Sequence, residues 1–339
     1  MHIFKRIISS KIFLTLAAIV VLLLLLSFDY SKPDPDKIVR GASFSKFHSD
    51  ELKLDWKKVY LASLDELKVR DFRFSAHWPL TEPADDKYNF KELDFQMNEA
   101  KKRNASVILA VGRRLPGWPE CHVPEWAKDL PKDKQQEKIL EIIEVVVNRY
   151  KGYENIKYWQ VENEPFLAFF SNMHCGDLDK EFLQKEIALV RKLDPSRKIL
   201  VTDSGEFGTW ANAYQAGDVF GTSQYLYIWN RKFDLTFRYP IGPWFFNMKK
   251  NLVKMILGTK PMIAIEVSSE PWLLQPIIEA PMEVLLDRMG IDKFNEMIAL
   301  VNGSGFDQQY FWGLEWWYWM REHGHPEYWD RAKLLYENK

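Results

Sequence analysis

The run Ile156-Lys-Tyr-Trp-Gln-Val161 is short, apolar and strand-like, and it is followed at once by Glu162-Asn-Glu-Pro165. Two carboxylates and an amide are costly to bury without partners, so this strand does not end inside a packed core. Pro165 lacks an amide hydrogen and stops the ladder, which leaves Glu164 at the strand's mouth. Side chains alternate along a strand, so Glu162 and Glu164 are expected on one side.

Working outward, the same unit recurs. Strands are expected at Gly41–Ser45, Asp71–Ser75, Ser106–Val111 and Lys198–Thr202, with Asp218–Gly221 opening a sixth, Pro261–Glu266 a seventh and Gln308–Gly313 an eighth. Between them lie stretches of helical spacing. These run through Trp56, Tyr60, Leu64 and Leu67, then over Phe90–Lys102, Lys138–Tyr150, Glu181–Leu193, Phe246–Leu257 and Lys293–Val301. Strand–helix alternation of this kind builds a parallel sheet covered by helices. Eight units over about 300 residues favour an α/β fold closed as a (β/α)₈ barrel rather than an open sheet. No GxGxxG or P-loop signature is present, and no short repeat stands out.

Lys plus Arg number 46 against 47 Asp plus Glu, with a formal net charge of −1. That balance gives no electrostatic footprint for nucleic acid. Fourteen Trp, 14 Tyr and 22 Phe are the unusual bulk feature. They fit a large core, and equally a sugar-binding surface, since pyranose C–H faces stack on flat rings with a polar edge.

The amino terminus reads as a separate segment. Residues 1–11 carry Lys5, Arg6 and Lys11, and an apolar run then extends from Ile12 to Phe28, broken only by Thr15 and Ser27. Those 17 residues would span about 26 Å as a helix, which is short but enough for a bilayer core. The run exceeds the usual signal-peptide core, and Leu25-x-Ser27 is a poor cleavage site. The expectation is an uncleaved transmembrane signal-anchor at 12–28, with the basic residues cytoplasmic and the rest outside; secretion after cleavage is the alternative. Residues 29–36, Asp29-Tyr-Ser-Lys-Pro-Asp-Pro-Asp36, read as a stiff linker, and 37–339 as the barrel domain. Cys121 and Cys175 fall in loops on one face, where a disulfide and two free thiols both fit.

In such a barrel the strand carboxyl ends point into the active site. Strand seven ends Ile263-Ala-Ile-Glu266-Val-Ser-Ser-Glu270-Pro-Trp272, where Glu266 breaks an apolar run. Glu164 and Glu266 lie three strands apart and would face each other across the mouth. Glycoside hydrolysis with retention needs two carboxyl groups about 5–5.5 Å apart, one to protonate the leaving oxygen and one to attack the anomeric carbon.

Here the residues resemble the clan A glycoside hydrolases, the broad group of cellulases, β-mannanases and β-galactosidases with glutamates on strands four and seven. Arg73-Phe-Ser-Ala-His77-Trp78 with Glu82-Pro83 and Lys87-Tyr-Asn-Phe90 is similar to the clan's strand-two arginine and the segment after it. Trp159 to Pro165 resembles the clan's Asn-Glu-Pro segment. The resemblance covers roughly Gly41 to Tyr336. It implies that Glu164 is the acid/base, that Glu266 is the nucleophile held ionised by Arg73, and that Asn163 hydrogen-bonds the sugar 2-hydroxyl. It also implies that Tyr225 lies near the nucleophile and that a tryptophan of Tyr310–Trp319, taken as Trp316, underlies the sugar; His77 is counted with the sugar-binding residues. Ile-Glu266-Val-Ser departs from the clan's usual nucleophile segment, and Glu270 follows closely enough to contribute.

Arg113, Arg114, Trp118 and His122 after strand three, and Asp203 and Glu206 after strand five, are candidates for neighbouring subsites or for loop packing. No histidine pair has HExxH spacing, so neither a metal nor a cofactor is expected. His323 and His325 read as a solvent loop. The expected partner is a carbohydrate; oligomeric state is open. The functional expectation is a retaining β-glycosidase, with a transglycosylase or a catalytically silent glycan-binding barrel as alternatives.

Overall fold

The computed structural model describes residues 2–117, 120–167, 179–230, 235–273 and 275–337, with side chains from Ile12 onward and without those of Trp229 and Asn230. Its strands are β1 (Val39–Ser43), β2 (Asp71–Ser75), β3 (Ser106–Val111), β4 (Ile156–Val161), β5 (Lys198–Asp203), β6 (Val219–Gln224), β7 (Tyr227–Asn230), β8 (Leu235–Arg238), β9 (Met262–Ser268) and β10 (Gln308–Trp312). Eight of them close into a parallel barrel in the order β1-β2-β3-β4-β5-β6-β9-β10, with β10 pairing back onto β1. The antiparallel hairpin β7–β8 stands outside that ring and has no counterpart in the sequence reading.

Alternation explains the two sides of each stave. Phe72 and Phe74 of β2, and Trp159 and Val161 of β4, join the core beneath the outer helices. Ile108, Leu200, Ile263, Ile265 and Tyr310 form a separate cluster inside the barrel, with Tyr158 against it. Gly41 belongs to this floor: a Cβ there would lie 2.5 Å from the Tyr310 ring. The residue is glycine because the tyrosine occupies the space.

One stave breaks the alternation where it matters. β9 pairs Thr222 with Ala264 but Ser223 with Glu266, and its register shifts against β10 over the same stretch. Ile265 is therefore an extra residue, a bulge of the kind that re-aims a side chain. Strict period two would have put Glu266 on Ala264's side. The bulge instead turns Glu266 inward, and Val267 follows into the outer core.

Helices α1 (His2–Leu26), α2 (Lys46–Glu51), α3 (Trp56–Asp65), α4 (Lys91–Lys102), α5 (Lys132–Tyr150), α6 (Lys180–Leu193), α7 (Pro243–Leu257), α8 (Ile291–Gly303), α9 (Leu314–Glu322) and α10 (Glu327–Glu337) complete the described architecture, with several shorter turns. α9 corrects the expectation for Tyr310–Trp319. The strand stops at Trp312, Gly313 adopts φ +131°, and Trp316, Trp317 and Trp319 are all buried on a helix rather than alternating along a strand.

α1 covers most of the expected membrane segment. Its side chains from Ile12 to Leu25 are exposed, yet among the described residues no helix is long and apolar enough to cross a membrane. The chain beyond it is tied down rather than free. Asn251 on α7 donates to the carbonyls of Leu26 and Phe28, both at 2.8 Å, and the Lys250 ammonium lies 3.3 Å from Asp29. Lys250 also donates to the carbonyls of Ser304 and Gly305, on the way into β10. α1 thus joins at the end of the barrel opposite the strand carboxyl ends.

Candidate active site

The strand carboxyl ends carry two connected cavities. One, of about 560 Å³ with its mouth, is lined among others by Glu120, Glu164, Glu206, Tyr225 and Glu266. The other, about 1030 Å³, is lined by His48, Glu270, Trp312 and, again, Glu120, Tyr225, Glu266 and Trp272. Glu164 and Glu266 therefore face a common space from staves three apart, as the barrel order requires.

Glu266 is pinned on both oxygens. Arg73 Nη1 donates to Oε2 at 2.6 Å, and the Tyr225 hydroxyl donates to Oε1 at 2.7 Å. Arg73 is itself immobilised, since Nε donates to Gln160 at 2.9 Å and Nη2 to Asn163 Oδ1 at 2.6 Å. Three acceptors thus fix the guanidinium in place, with one of its N–H groups directed at a Glu266 oxygen. Tyr225 stays a neutral donor, because burial and the adjacent Glu266 charge push its hydroxyl well above the usual tyrosine range.

Glu164 has the opposite surroundings. Burial, then the charges of Glu120 and Glu266, push its carboxyl well above the ordinary range, against a smaller pull from Arg114 and a hydrogen bond from Ser223. Its backbone N–H donates to Thr202 Oγ1 at 2.7 Å, and its φ is +44°. Glu162 also has positive φ, +57°. Strand alternation thus ends at Val161, and the two glutamates do not share a side. Glu162 accepts the backbone N–H groups of Arg113 at 2.9 Å and Arg114 at 2.5 Å. It fastens the loop after β3 and lines neither cavity.

The other expected residues separate. Asn163 is buried beside the pair, with its Oδ1 taken by Arg73 and its Nδ2 without a partner. His77 lines neither cavity. It is buried against His122, ring centroids 4.3 Å apart, near the Pro116 carbonyl at 3.3 Å. Burial and the His122 charge hold it well below the usual histidine range, and burial takes His122 down to about 4. Trp316 is fully buried, edge-on to Tyr328 at 4.6 Å, so it offers no face to a sugar. Trp312 and Trp272 line the cavity in its place. The helix after β10 turns Trp316 into the core.

Arg113 points away, donating to Gln135 on α5 at 3.0 Å. Asp203 accepts the N–H groups of Ser204 and Trp210 and shapes its own loop. Glu206 does reach the cavity; burial raises it to about 7, against the Tyr225 N–H that it accepts at 2.6 Å. Glu270 bridges Trp312 Nε1 at 2.6 Å and His48 Nε2 at 2.9 Å. Burial pulls His48 down, but Glu270, with Glu51 and Glu315, more than offsets it and holds the ring well above its usual range. Sequence reasoning missed His48, and it missed Glu120, which lies between strands with no pattern to flag it. His323 lies against Trp319, and His325 pairs with Glu327. Cys121 is disulfide-bonded; Trp118 and Cys175 lie outside the described residues.

Comparison with known proteins bears on this geometry. The family model described as Glycosyl hydrolase family 10 matches residues 73–216, from Arg73 through Glu164 but short of Glu266. The β-galactosidase LacZ of Lactobacillus acidophilus is 24% identical over 122 residues, covering 31% of this chain and 18% of that protein. Among solved structures, the exo-β-1,4-mannosidase Op5Man5 of Opitutaceae bacterium strain TAV5 superimposes with a TM-score of 0.55 at 15% identity, covering 81% of this chain and 51% of its own. A β-galactosidase of the haloarchaeon Halorubrum lacusprofundi gives 0.54 at 14%, covering 80% and 52%. The chain thus spans about half the length of these structures and under a fifth of LacZ. At such identities the shared feature is the barrel.

Proposed function

We propose that this chain is a clan A glycoside-hydrolase barrel and a glycosidase that cleaves β-linked sugars with retention. The observation that carries the reading is the pair of glutamates facing one cavity with opposite electrostatic support. Glu266, held by an arginine and a tyrosine hydroxyl, is suited to attack the anomeric carbon as a carboxylate. Glu164, kept neutral by burial and by neighbouring negative charge, is suited to protonate the departing oxygen. Once the aglycone leaves, Glu164 takes a proton from water and the glycosyl–Glu266 ester is hydrolysed. Asn163 Nδ2, a donor without a partner, is assigned to the sugar 2-hydroxyl, and Trp312 to its apolar face.

Turnover of a panel of aryl β-glycosides by the full chain, with the product anomer followed by proton NMR, tests this. The β-anomer is expected first; initial release of the α-anomer, or binding without hydrolysis, overturns it.

Membrane attachment is a separate proposal. It rests on the exposed apolar side chains between Ile12 and Leu25, which would hold the barrel outside the cytoplasm with its cavity turned away from the bilayer. Recovery of the full chain in the soluble fraction of cells, without detergent, would remove it.

A further inference from the structure

We propose that Glu120 is a third working carboxylate of this centre, whose free oxygen accepts a hydrogen bond from a hydroxyl or ammonium group of the bound sugar. By the same contact it selects neutral and amine-bearing sugars over uronates. Glu120 lies on the loop after β3, where no motif marks it. It is one of four residues lining both cavities, the others being Tyr225, Glu266 and Trp272. It therefore stands where the two halves of a substrate meet.

Its orientation is fixed. Arg114 Nε and Nη2 both donate to Oε2, at 3.1 and 2.9 Å, and Arg114 is buried and anchored on the Leu167 carbonyl at 3.1 Å. Among the described residues no hydrogen bond occupies Oε1, and the side chain is 26% exposed. The backbone is held at φ +66°, with the Glu120 N–H donating to Gly117 at 2.6 Å and its carbonyl accepting from Leu115 at 2.9 Å. A left-handed glutamate is strained, and such positions persist where the surroundings impose them.

The charge around it defines the ligand. Glu51, Glu120, Glu164, Glu206, Glu266 and Glu270 line the two cavities. Among the described lining residues His48 is the sole cationic group, and it is already held between Glu51 and Glu270. Arg73 and Arg114 are engaged behind the wall, and Lys249 donates to the carbonyls of Gly205 and Gly208. A sugar carboxylate would meet like charge and no free partner, whereas a hydroxyl or ammonium group finds Oε1. Glu120 also faces Glu164, along with Glu266, Arg114, Ser223, Tyr225 and Lys249. After burial it contributes most to raising Glu164, and burial raises Glu120 itself, against the pull of Arg114.

Calorimetry on the full chain tests the contact without needing turnover. The probes are a protonated piperidine iminosugar, phenyl 1-thio-β-glycosides of glucose, galactose and mannose, and the matching uronides. Wild type is expected to bind the iminosugar and at least one neutral thioglycoside, and no uronide. Glu120→Gln keeps an acceptor for Arg114, so the fold survives; it should weaken the iminosugar about tenfold or more, the usual worth of a hydrogen bond to a charged group. Equal iminosugar binding by the two proteins, uronide binding as tight as neutral, or no binding by wild type overturns the proposal. The turnover arm rests on the retaining reading: Glu120→Gln should also move the alkaline limb of kcat/KM to lower pH, and an unmoved limb counts against it. Wild type that binds but never cleaves would sink the retaining mechanism and leave the Glu120 site standing.

Discussion

The ends of β4 and β9 deliver the same functional group by opposite means. Beyond β4, the chain leaves the sheet, and both Glu162 and Glu164 adopt left-handed backbone angles. Glu164 is then held by its own backbone, through Thr202, while its carboxyl sits among other acids. At the end of β9 the chain stays in the sheet, gains one residue at Ile265, and presents a carboxylate gripped at both oxygens. One side chain is thus steered by loop backbone and kept neutral by burial and negative neighbours. The other is steered by a strand bulge and given a cation. The proposed acid and nucleophile need different surroundings, and here the surroundings differ because each stave ends differently.

The most severe test of that contrast removes the gripped partner. Glu266→Ala should cut turnover of every substrate by about 10⁴-fold or more, as loss of a covalent nucleophile does elsewhere. Steady-state kinetics on an aryl β-glycoside would read it, and retained activity would mean that the bulge aims an inert residue. Replacing Glu164 should be selective. Glu164→Gln is expected to lose about 10²–10⁴-fold on substrates with poor leaving groups, and much less in the first step when the leaving group needs no proton. Wild-type activity should hold while Glu164 is protonated and fall as pH rises through its elevated pKa, so the alkaline limb lies above the ordinary carboxylate range. A limb near the ordinary range would place Glu164 in a wetter site than the one described.

Much of this was legible in the sequence because both strand ends break an apolar run with a charge. Asp71–Ser75, Ser106–Val111 and Ile156–Val161 match the expected bounds to the residue, the first by alternating Phe with polar residues and Ser106–Val111 by a continuous apolar run. The charge at a strand end singles out Glu164 and Glu266, the family resemblance adds Arg73 and Tyr225, and the structure brings the four together. Three features escaped for physical reasons. Gly313 turns the chain from strand to helix by a backbone angle that no periodicity reports, so Trp316 was assigned to the sugar when it belongs to the core. His77 looked functional beside Arg73, but β2 had already ended at Ser75, and the histidine packs on His122. Glu120 and His48 come from loop and helix positions that meet the site only in three dimensions.

Arg73 tests the gripped side from beneath. Its guanidinium serves Gln160, Asn163 and Glu266 at once, with 1% exposure. Arg73→Met would leave a buried carboxylate without its cation, which typically costs about 3–5 kcal/mol. Urea unfolding should show that loss together with weaker catalysis. A stable variant would mean that Tyr225 alone can hold Glu266.

Glu162 tests the loop side without touching the chemistry. Glu162→Ala strands the part-buried amide of Arg113 and the buried amide of Arg114, the latter at about 1–3 kcal/mol. It also removes the acceptor of a neighbour, because Glu186 is held well above the ordinary carboxyl range by burial, by the Glu162 charge and by their hydrogen bond. Chemical denaturation should report the loss, and kcat should fall less than in Glu164→Gln. Gly112 lies beneath this clasp at φ +122°, where a Cβ would come 2.4 Å from Glu162 Oε1, so Gly112→Ala should mimic the same defect.

The smallest effect has the most diagnostic sign. A carboxyl whose folded pKa is raised is more costly as pH climbs, because the unfolded chain ionises first and the native state resists. Between the ordinary carboxylate pKa and the elevated folded value of Glu164, its contribution to stability falls steadily. Glu164→Gln removes that penalty while keeping the shape, so the variant should melt slightly above wild type at pH 8 and with little difference at pH 4. Glu266→Gln instead breaks the ion pair with the buried Arg73, so that variant should melt below wild type. Paired melting curves across that range, with opposite signs for the two variants, would tie the acid and the nucleophile to the different ways their strands end. The same sign for both would mean that the two carboxyl groups share one environment, and the division of labour proposed for them would have no electrostatic basis.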